Sequence, residues 1–276
     1  MVQHIDIQFG IPGEWQAFAK RQPLLTEKLR PLFETLDKTF IRQVQINSPA
    51  DRVVFFLGRL CVEEFMEILL LSGNGYGVGA TKLLRGLYER AVTLGYIAKY
   101  PHKAGEFLDY YHVHRGKQFN HAKSLLAKEL PTEMIEEIQD SYKKAKEKYQ
   151  EVVCKKCGTR RTRLSWSELD LLSMAREVGL EGLYSLCYYN PTLQVHGTAS
   201  ALFSRMKIGE TGQITFDESA QHDWADLALI GAHHIILYIL DKENDYFKMG
   251  LQGEIKRRFE DFKLVWKKNE KCSSDL

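Results

Sequence analysis

His196 stands in a local sequence that could support acid–base chemistry. It follows Asn190-Pro191, a pair that predicts a break in the helical structure, and it precedes a run of small residues that begins with Thr198. This order predicts that the imidazole lies near the start of a helix, where the helix dipole favours the neutral ring. A neutral imidazole can act as a general base. The alternative is a core histidine that is bonded to a backbone carbonyl.

Two arginines and a glutamate could form a polar cluster beside such a base. Arg85 and Glu89 are four residues apart, so they are neighbours on one face of a helix. Arg115 lies on the inward stripe of another predicted helix, and a buried guanidinium needs an acceptor, for which Glu89 is a candidate. These arginines could hold a phosphate, with Glu89 orienting them. The alternative is a structural network of ion pairs inside a bundle.

A cysteine pair is typical of half a zinc site. Cys154 and Cys157 are separated by two lysines and followed by Gly158, and two thiolates at this spacing can bind one face of a tetrahedral ion. A complete site needs further ligands from distant residues, from nearby histidines or from a second subunit. The alternative is an exposed loop with two free thiols. Zinc is the one cofactor that the sequence suggests.

Basic residues are concentrated around this pair. Residues 141–163 contain nine Lys and Arg against two Glu, a charge of +7, whereas the rest of the chain carries −5. Cations interleaved with Tyr142 and Tyr149 could neutralise phosphates and stack on bases, which makes RNA a candidate partner. A solvated helical face balanced by acidic neighbours is the alternative. The candidate nucleic-acid-binding residues are Lys143, Lys144, Lys155, Lys156, Arg160, Arg161 and Arg163.

The glycine-rich stretch at residues 73–79 does not have the order of a phosphate loop. A phosphate loop follows a strand and ends in Gly-Lys followed by Ser or Thr, whereas here a predicted helix precedes and the residues run from Gly79 through Ala and Thr to Lys82. We therefore expect a close-packed or flexible turn between two core helices.

Helical periodicity dominates the elements that must position these residues. Ser48, Pro49 and Asp51 predict the start of a central helix, and apolar residues continue to Leu71. Further stripes spaced by three and four residues predict an all-α, multi-helix bundle with one short β-hairpin at residues 208–216 and a protruding basic helical arm. We divide the chain into an appendage at 1–47, a core at 48–241 with the arm at 131–164, and a basic amphipathic helix at 242–276.

Composition places limits on compartment and partners. Five cysteines in 276 residues form no disulfide framework, which favours a reducing compartment. The first residues lack the apolar core of a signal peptide, and the longest apolar runs are shorter than a bilayer requires. We therefore expect a cytoplasmic chain with no membrane partner.

The order of several short motifs resembles the bacterial domain-of-unknown-function 5677 family, over roughly residues 52–239. The motifs are Lys82-Leu-Leu-Arg-Gly-Leu-Tyr-Glu89, Phe107-Leu-Asp-Tyr110, Trp166, Met174-Ala-Arg-Glu-Val-Gly-Leu180, Tyr188 and Val195-His-Gly-Thr198. The resemblance implies a cytosolic helical protein without an established reaction. The His-Gly segment is also similar to the helix start that holds the histidine in HEPN-like proteins, several of which are toxins or phage-defence factors. Asn190 stands where a HEPN nuclease carries its arginine.

Two hypotheses of different classes follow. The first is a HEPN-like protein that binds RNA or cleaves it as a metal-independent endoribonuclease, with His196 as the base, Arg85 or Arg115 holding phosphate and Glu89 orienting the arginine. The second is a non-enzymatic interaction module with a structural polar core. In the second hypothesis, the apolar seam from Ile135 to Val152 and the cysteine pair join two subunits into a homodimer or dock another partner.

Overall fold

The structure is a computed structural model that describes residues 10–41, 44–154 and 156–267. The α-helices in chain order are α1 (Glu14–Arg21), α2 (Pro23–Phe40), α3 (Pro49–Gly73), α4 (Gly77–Lys99), α5 (Ala104–Asp109), α6 (Tyr111–His121), α7 (Lys123–Glu129), α8 (Thr132–Lys148), α9 (Leu171–Val178), α10 (Asn190–Val195), α11 (Ala199–Phe203), α12 (His222–Phe247) and α13 (Gln252–Trp266). The strands are β1 (Gln150–Val152), β2 (Arg160–Thr162), β3 (Met206–Ile208) and β4 (Ile214–Phe216). The predicted all-α bundle is confirmed.

The start of α3 matches its prediction. The Ser48 hydroxyl accepts a hydrogen bond from the Asp51 amide at 3.1 Å, and the Asp51 carboxylate accepts one from the Ser48 amide at 3.0 Å. Two otherwise unsatisfied amide groups of the first turn are paired in this way. The Tyr246 hydroxyl of α12 also donates to Asp51 at 2.9 Å, so the same cap ties α3 to α12.

Helices α3, α4 and α12 pack against one another and form the centre of the core. Their fully buried side chains include Phe65, Leu87 and Ile236. Gly77 permits α4 to approach α12 closely, because a Cβ at this position would overlap the backbone carbonyl oxygen of Gln221. The glycine-rich stretch is therefore a close-packed turn between core helices.

Helix α12 is the one helix of the described ranges that is long and apolar enough to cross a membrane. Of its most apolar window, 61% is buried inside the bundle. Burial of this extent is typical of the core helix of a soluble protein. The C-terminal helix α13 packs on the same core, where the indole N–H of Trp266 donates to Nδ1 of His233 at 3.2 Å.

The basic arm is built on the packing of α8 against α6. Ile138, Ala145 and Tyr149 of the predicted seam are buried, and the ring of Tyr142 lies against Gly116 of α6. Most of the seam that we predicted as a subunit interface is therefore covered within the chain, whereas Val152 at its end is exposed. A stripe of apolar residues shows which face of a helix is covered, but it does not show which element covers it.

Two tyrosines join the arm to the bundle. The Tyr149 hydroxyl donates to the Glu106 carbonyl of α5 at 2.8 Å, and the Tyr110 hydroxyl donates to the Arg163 carbonyl at 2.6 Å. Their rings pack edge to face with centroids 5.1 Å apart. The carboxyl end of α8 is thereby fixed to α5, and the last residue of the basic segment is fixed to the residue that follows α5.

The described residues form two hairpins, although we predicted one. The predicted hairpin is formed by β3 and β4, with Met206 paired to Phe216 and Ile208 to Ile214. The second is formed by β1 and β2, paired from Gln150 and Thr162 onward, and it presents the cysteine pair at its tip. Its strands are only three residues long and rich in charge, so they lack the alternating apolar pattern by which a strand is recognised.

Candidate functional site

Arg85 and Glu89 form the ion pair that their spacing predicts. Arg85 Nε donates to Glu89 Oε1 at 3.0 Å, and the guanidinium carbon lies 5.0 Å from the centroid of the Tyr188 ring. Burial opposes the charged form, but the Glu89 carboxylate and the Tyr188 hydroxyl outweigh it and raise the pKa of Arg85. The side chains of Arg85 and Glu89 are 25% and 42% exposed, so the pair lies at the edge of the core.

A π-helix positions Tyr188. Residues Ser185–Tyr189 form this wider turn, which continues directly into α10, so Asn190-Pro191 does not break the helical structure as we predicted. Proline has no N–H, so Pro191 cannot donate to the carbonyl four residues earlier, and a π turn accommodates the missing bond. The ring of Tyr188 also packs on Tyr184 and Tyr88, with centroids 5.1 and 6.3 Å away.

Arg115 lies elsewhere. Its Nη1 donates to Glu137 Oε1 at 2.8 Å and thereby links α6 to α8. Glu137 rather than Glu89 is the partner of this arginine, so the Arg85, Glu89 and Arg115 side chains do not form one cluster. The pairing depends on how α6 packs against α8, and sequence spacing holds no information about that.

His196 is exposed and stands at the carboxyl end of α10 rather than at a helix start. Helix α11 begins three residues later, and its N-cap is Thr198, whose hydroxyl accepts from the Ala201 amide at 3.2 Å. Among the residues described, none is hydrogen-bonded to the imidazole. A general base of the triad type is oriented by a second group, and the described residues supply none to this histidine.

A surface cleft that the sequence did not suggest lies beside this segment. Its volume is about 550 Å³, and its lining includes Lys82, Gln194 and Arg205. The Arg205 guanidinium lies 4.9 Å from the centroid of the Phe216 ring, on the hairpin of β3 and β4. The cleft brings together two cations from α4 and the β3 region, and such a meeting of distant residues leaves no local signal in the sequence.

A second cleft of about 460 Å³ lies between α4, α9 and α12. Burial raises the pKa of Tyr238, whose hydroxyl has no hydrogen-bond partner in the described part of the chain. Lys99 lines the same cleft, but its ammonium group is 2.8 Å from the Glu177 carboxylate. The lysine is therefore engaged within the protein.

The cations of the arm fall into two groups, those with an acidic partner and those without one in the described ranges. Lys148 pairs with Asp109, Arg161 pairs with Glu151, and Arg163 is largely buried against the Tyr149 ring and lies 3.3 Å from Glu168. The second group is exposed and forms no ion pair within the described ranges. Its members are Lys143, Lys144, Lys146, Lys156 and Arg160. Lys155 lies outside the described residues.

The two tyrosines of the arm are less exposed than its unpaired cations. Tyr149 is fully buried, and Tyr142 is half-buried against Gly116. Lys146 is exposed and lies 5.9 Å from the Tyr142 ring centroid. The arm therefore presents charge rather than free aromatic rings for stacking.

The cysteine pair lies at the tip of the β1–β2 hairpin. Gly158 adopts φ +70°, a conformation that favours glycine, and its amide donates to the Cys154 carbonyl at 2.9 Å. The Thr159 hydroxyl, 2.9 Å from the sulfur, and the neighbouring Cys154 thiol lower the pKa of Cys157 to about 7. Thiolates are the form that binds zinc. The described residues contain no group of three or more His, Cys, Asp or Glu that could hold a metal, so within them the hairpin tip brings together two thiols.

Comparison with known proteins assigns the chain to a sequence family. The sequence profile of a family of unknown function, DUF5677, matches residues 51–214, which is more than half of the chain. The chain belongs to DUF5677. The DUF5677 region runs from the first turn of α3 into β4, so it includes the Arg85–Glu89 pair, the arm and His196 but not α12 or α13. No curated protein and no solved structure matches the chain.

Proposed function

We propose that this DUF5677 protein is a cytoplasmic, non-catalytic RNA-binding protein that uses its arm as the binding surface. The observation that carries the proposal is the set of exposed cations on α8 and the β1–β2 hairpin that have no acidic partner in the described chain. They are Lys143, Lys144, Lys156 and Arg160, with Lys146 beside them. Unpaired surface cations can neutralise phosphates without first breaking an internal ion pair.

The distribution of acidic residues supports the same conclusion. Four of the five acidic residues of α8 precede its lysines, and only Glu147 lies among them; the four are Glu133, Glu136, Glu137 and Asp140. A polyanion that contacts the carboxyl end of α8 and the hairpin meets the cations and stays away from most of the carboxylates. Since Tyr149 is buried, phosphate contacts rather than base stacking would supply the affinity, and we expect little sequence preference.

The geometry gives less support to cleavage. A metal-independent ribonuclease needs a base beside a phosphate-holding cation, but the His196 imidazole is bonded to no arginine in the described residues. Arg85 is held by Glu89 and Arg115 by Glu137. In an assay without divalent metal, we expect no RNA cleavage by either the wild type or His196→Ala. Cleavage by the wild type that is lost in His196→Ala would instead support the endoribonuclease hypothesis.

The arm is tested by fluorescence anisotropy with a labelled single-stranded RNA. Each exposed charge contact contributes up to about 1 kcal/mol, so the double variant Lys143→Gln/Lys144→Gln should bind roughly tenfold more weakly. The matched control is Lys256→Gln/Arg257→Gln on α13, which removes the same charge from two exposed residues. Equal losses in the two variants would show non-specific attraction and would contradict a dedicated arm.

A further inference from the structure

Helix α3 is central to the core, yet one of its faces has no covering element among the described residues. Four large apolar side chains lie on this face: Phe56, Leu60, Met66 and Leu70 are 50%, 43%, 43% and 60% exposed. At about 100° per residue, they fall within one stripe of the helix surface. Single exposed apolar residues are common, but a continuous stripe of this kind marks an interaction surface.

The stripe is symmetric about Glu63. Phe56 precedes Glu63 by seven residues and Leu70 follows it by seven, which is about two helical turns in each direction. Leu60 and Met66 are each three residues from the same centre. If an identical helix runs antiparallel across this face, with the twofold axis at Glu63, each Phe56 lies opposite Leu70 of the other copy. A surface that is complementary to itself is the requirement for an isologous dimer.

The charges on the stripe fit the same arrangement. Arg59 lies four residues before Glu63 and Glu67 lies four residues after it, so in an antiparallel pair each Arg59 lies opposite Glu67 of the other copy and within one turn of its Glu63. Two such contacts offset the repulsion between the two Glu63 carboxylates at the axis. Neither Arg59 nor Glu63 forms an ion pair within the described chain, whereas the neighbouring Glu64 is bound to Arg90 of α4. These two charged side chains are therefore available to a partner.

We propose that this face binds a second copy of the chain, through an antiparallel α3–α3 contact with the twofold axis near Glu63. The contact is distinct from the seam of α8, which is covered by α6, and from the cysteine hairpin.

The proposal is tested by the mass of the full-length protein in solution, measured by sedimentation equilibrium with a chelator present. The wild type should have twice the chain mass of 31.9 kDa. Leu70→Lys should give the monomer mass, whereas Leu125→Lys, which changes an equally exposed leucine on α7, should remain dimeric. A monomeric wild type, or a dimer that is indifferent to Leu70→Lys, would overturn the proposal.

Charge reversal separates a broken interface from a misfolded protein. Arg59→Glu alone and Glu67→Arg alone should each weaken the dimer, because each change places like charges opposite one another across the contact. The double variant Arg59→Glu/Glu67→Arg places opposite charges across the contact again and should restore the dimer mass. Failure of the double variant to recover while its circular dichroism spectrum stays native would contradict the antiparallel arrangement.

Discussion

Replacement of Gly77 by alanine tests whether the close approach of α4 to α12 holds the bundle together. A Cβ at Gly77 would overlap two backbone atoms of the α12 start, the Gln221 carbonyl oxygen and the Ala225 amide nitrogen. Backbone atoms cannot move aside by changing rotamer, so the helices must separate. Overpacking of this kind costs about 1–3 kcal/mol. Since about 1 kcal/mol changes the Tm of a chain of this size by roughly 2 °C, we expect Gly77→Ala to lower it by about 2–6 °C.

Gly79→Ala is the matched control, two residues along the same helix. A Cβ there would meet its nearest neighbour, Leu71, at 3.6 Å, an ordinary van der Waals distance. Alanine has the higher helix propensity, by about 1 kcal/mol, so this variant should unfold at the same or a slightly higher temperature. Thermal unfolding followed by circular dichroism measures both. Equal Tm values for the two variants would refute the idea that Gly77 is required by the approach of α12.

Three further predictions concern other parts of the molecule. Burial lowers the pKa of His233 from 6.5 to about 4. As the pH falls, this histidine therefore binds a proton in the unfolded chain before it does so in the folded chain. The free energy of unfolding, measured by denaturant titration, should therefore fall by about 2 kcal/mol between pH 7 and pH 5. The fall should be smaller in His233→Gln. Alkylation of Cys157 should have its midpoint near pH 7, as followed by mass spectrometry, and Thr159→Val should move that midpoint upward. Gly116→Ala should displace Tyr142 and destabilise the arm by about 1–3 kcal/mol, seen as faster amide hydrogen exchange in α8 alone.

Sequence patterns predicted structural features correctly where the interacting residues lie within one helical turn of each other. The Ser48–Asp51 cap and the Arg85–Glu89 pair are both contacts within one helical turn, and both are present. Ser165 and Glu168 have the same capping spacing as Ser48 and Asp51, but no helix begins there; α9 begins at Leu171, and its N-cap Asp170 accepts a hydrogen bond from the Ser173 amide at 2.7 Å. Two candidate caps within a few residues cannot be ranked without the packing that selects one.

Several features of the candidate site could not be predicted, because they depend on contacts between residues that are far apart in the sequence. The pairing of Arg115 with Glu137 follows from the packing of two separate helices. The same is true of the cleft at Arg205 and of the α6 surface that covers the α8 seam. The chemical nature of the arm was predictable because charge accumulates within one segment, but which cations remain unpaired was not. The domain boundaries that we proposed remain predictions.

The salt dependence of RNA binding tests the central claim most directly. Five arm cations without ion pairs, if all contact phosphates, give a slope of about −3.5 for the logarithm of affinity against the logarithm of salt concentration with single-stranded RNA. The Lys143→Gln/Lys144→Gln variant should reduce the size of that slope by about 1.4, and the Lys256→Gln/Arg257→Gln control should leave it unchanged. A wild-type slope near zero, or an arm variant with the wild-type slope, would contradict RNA binding by the arm.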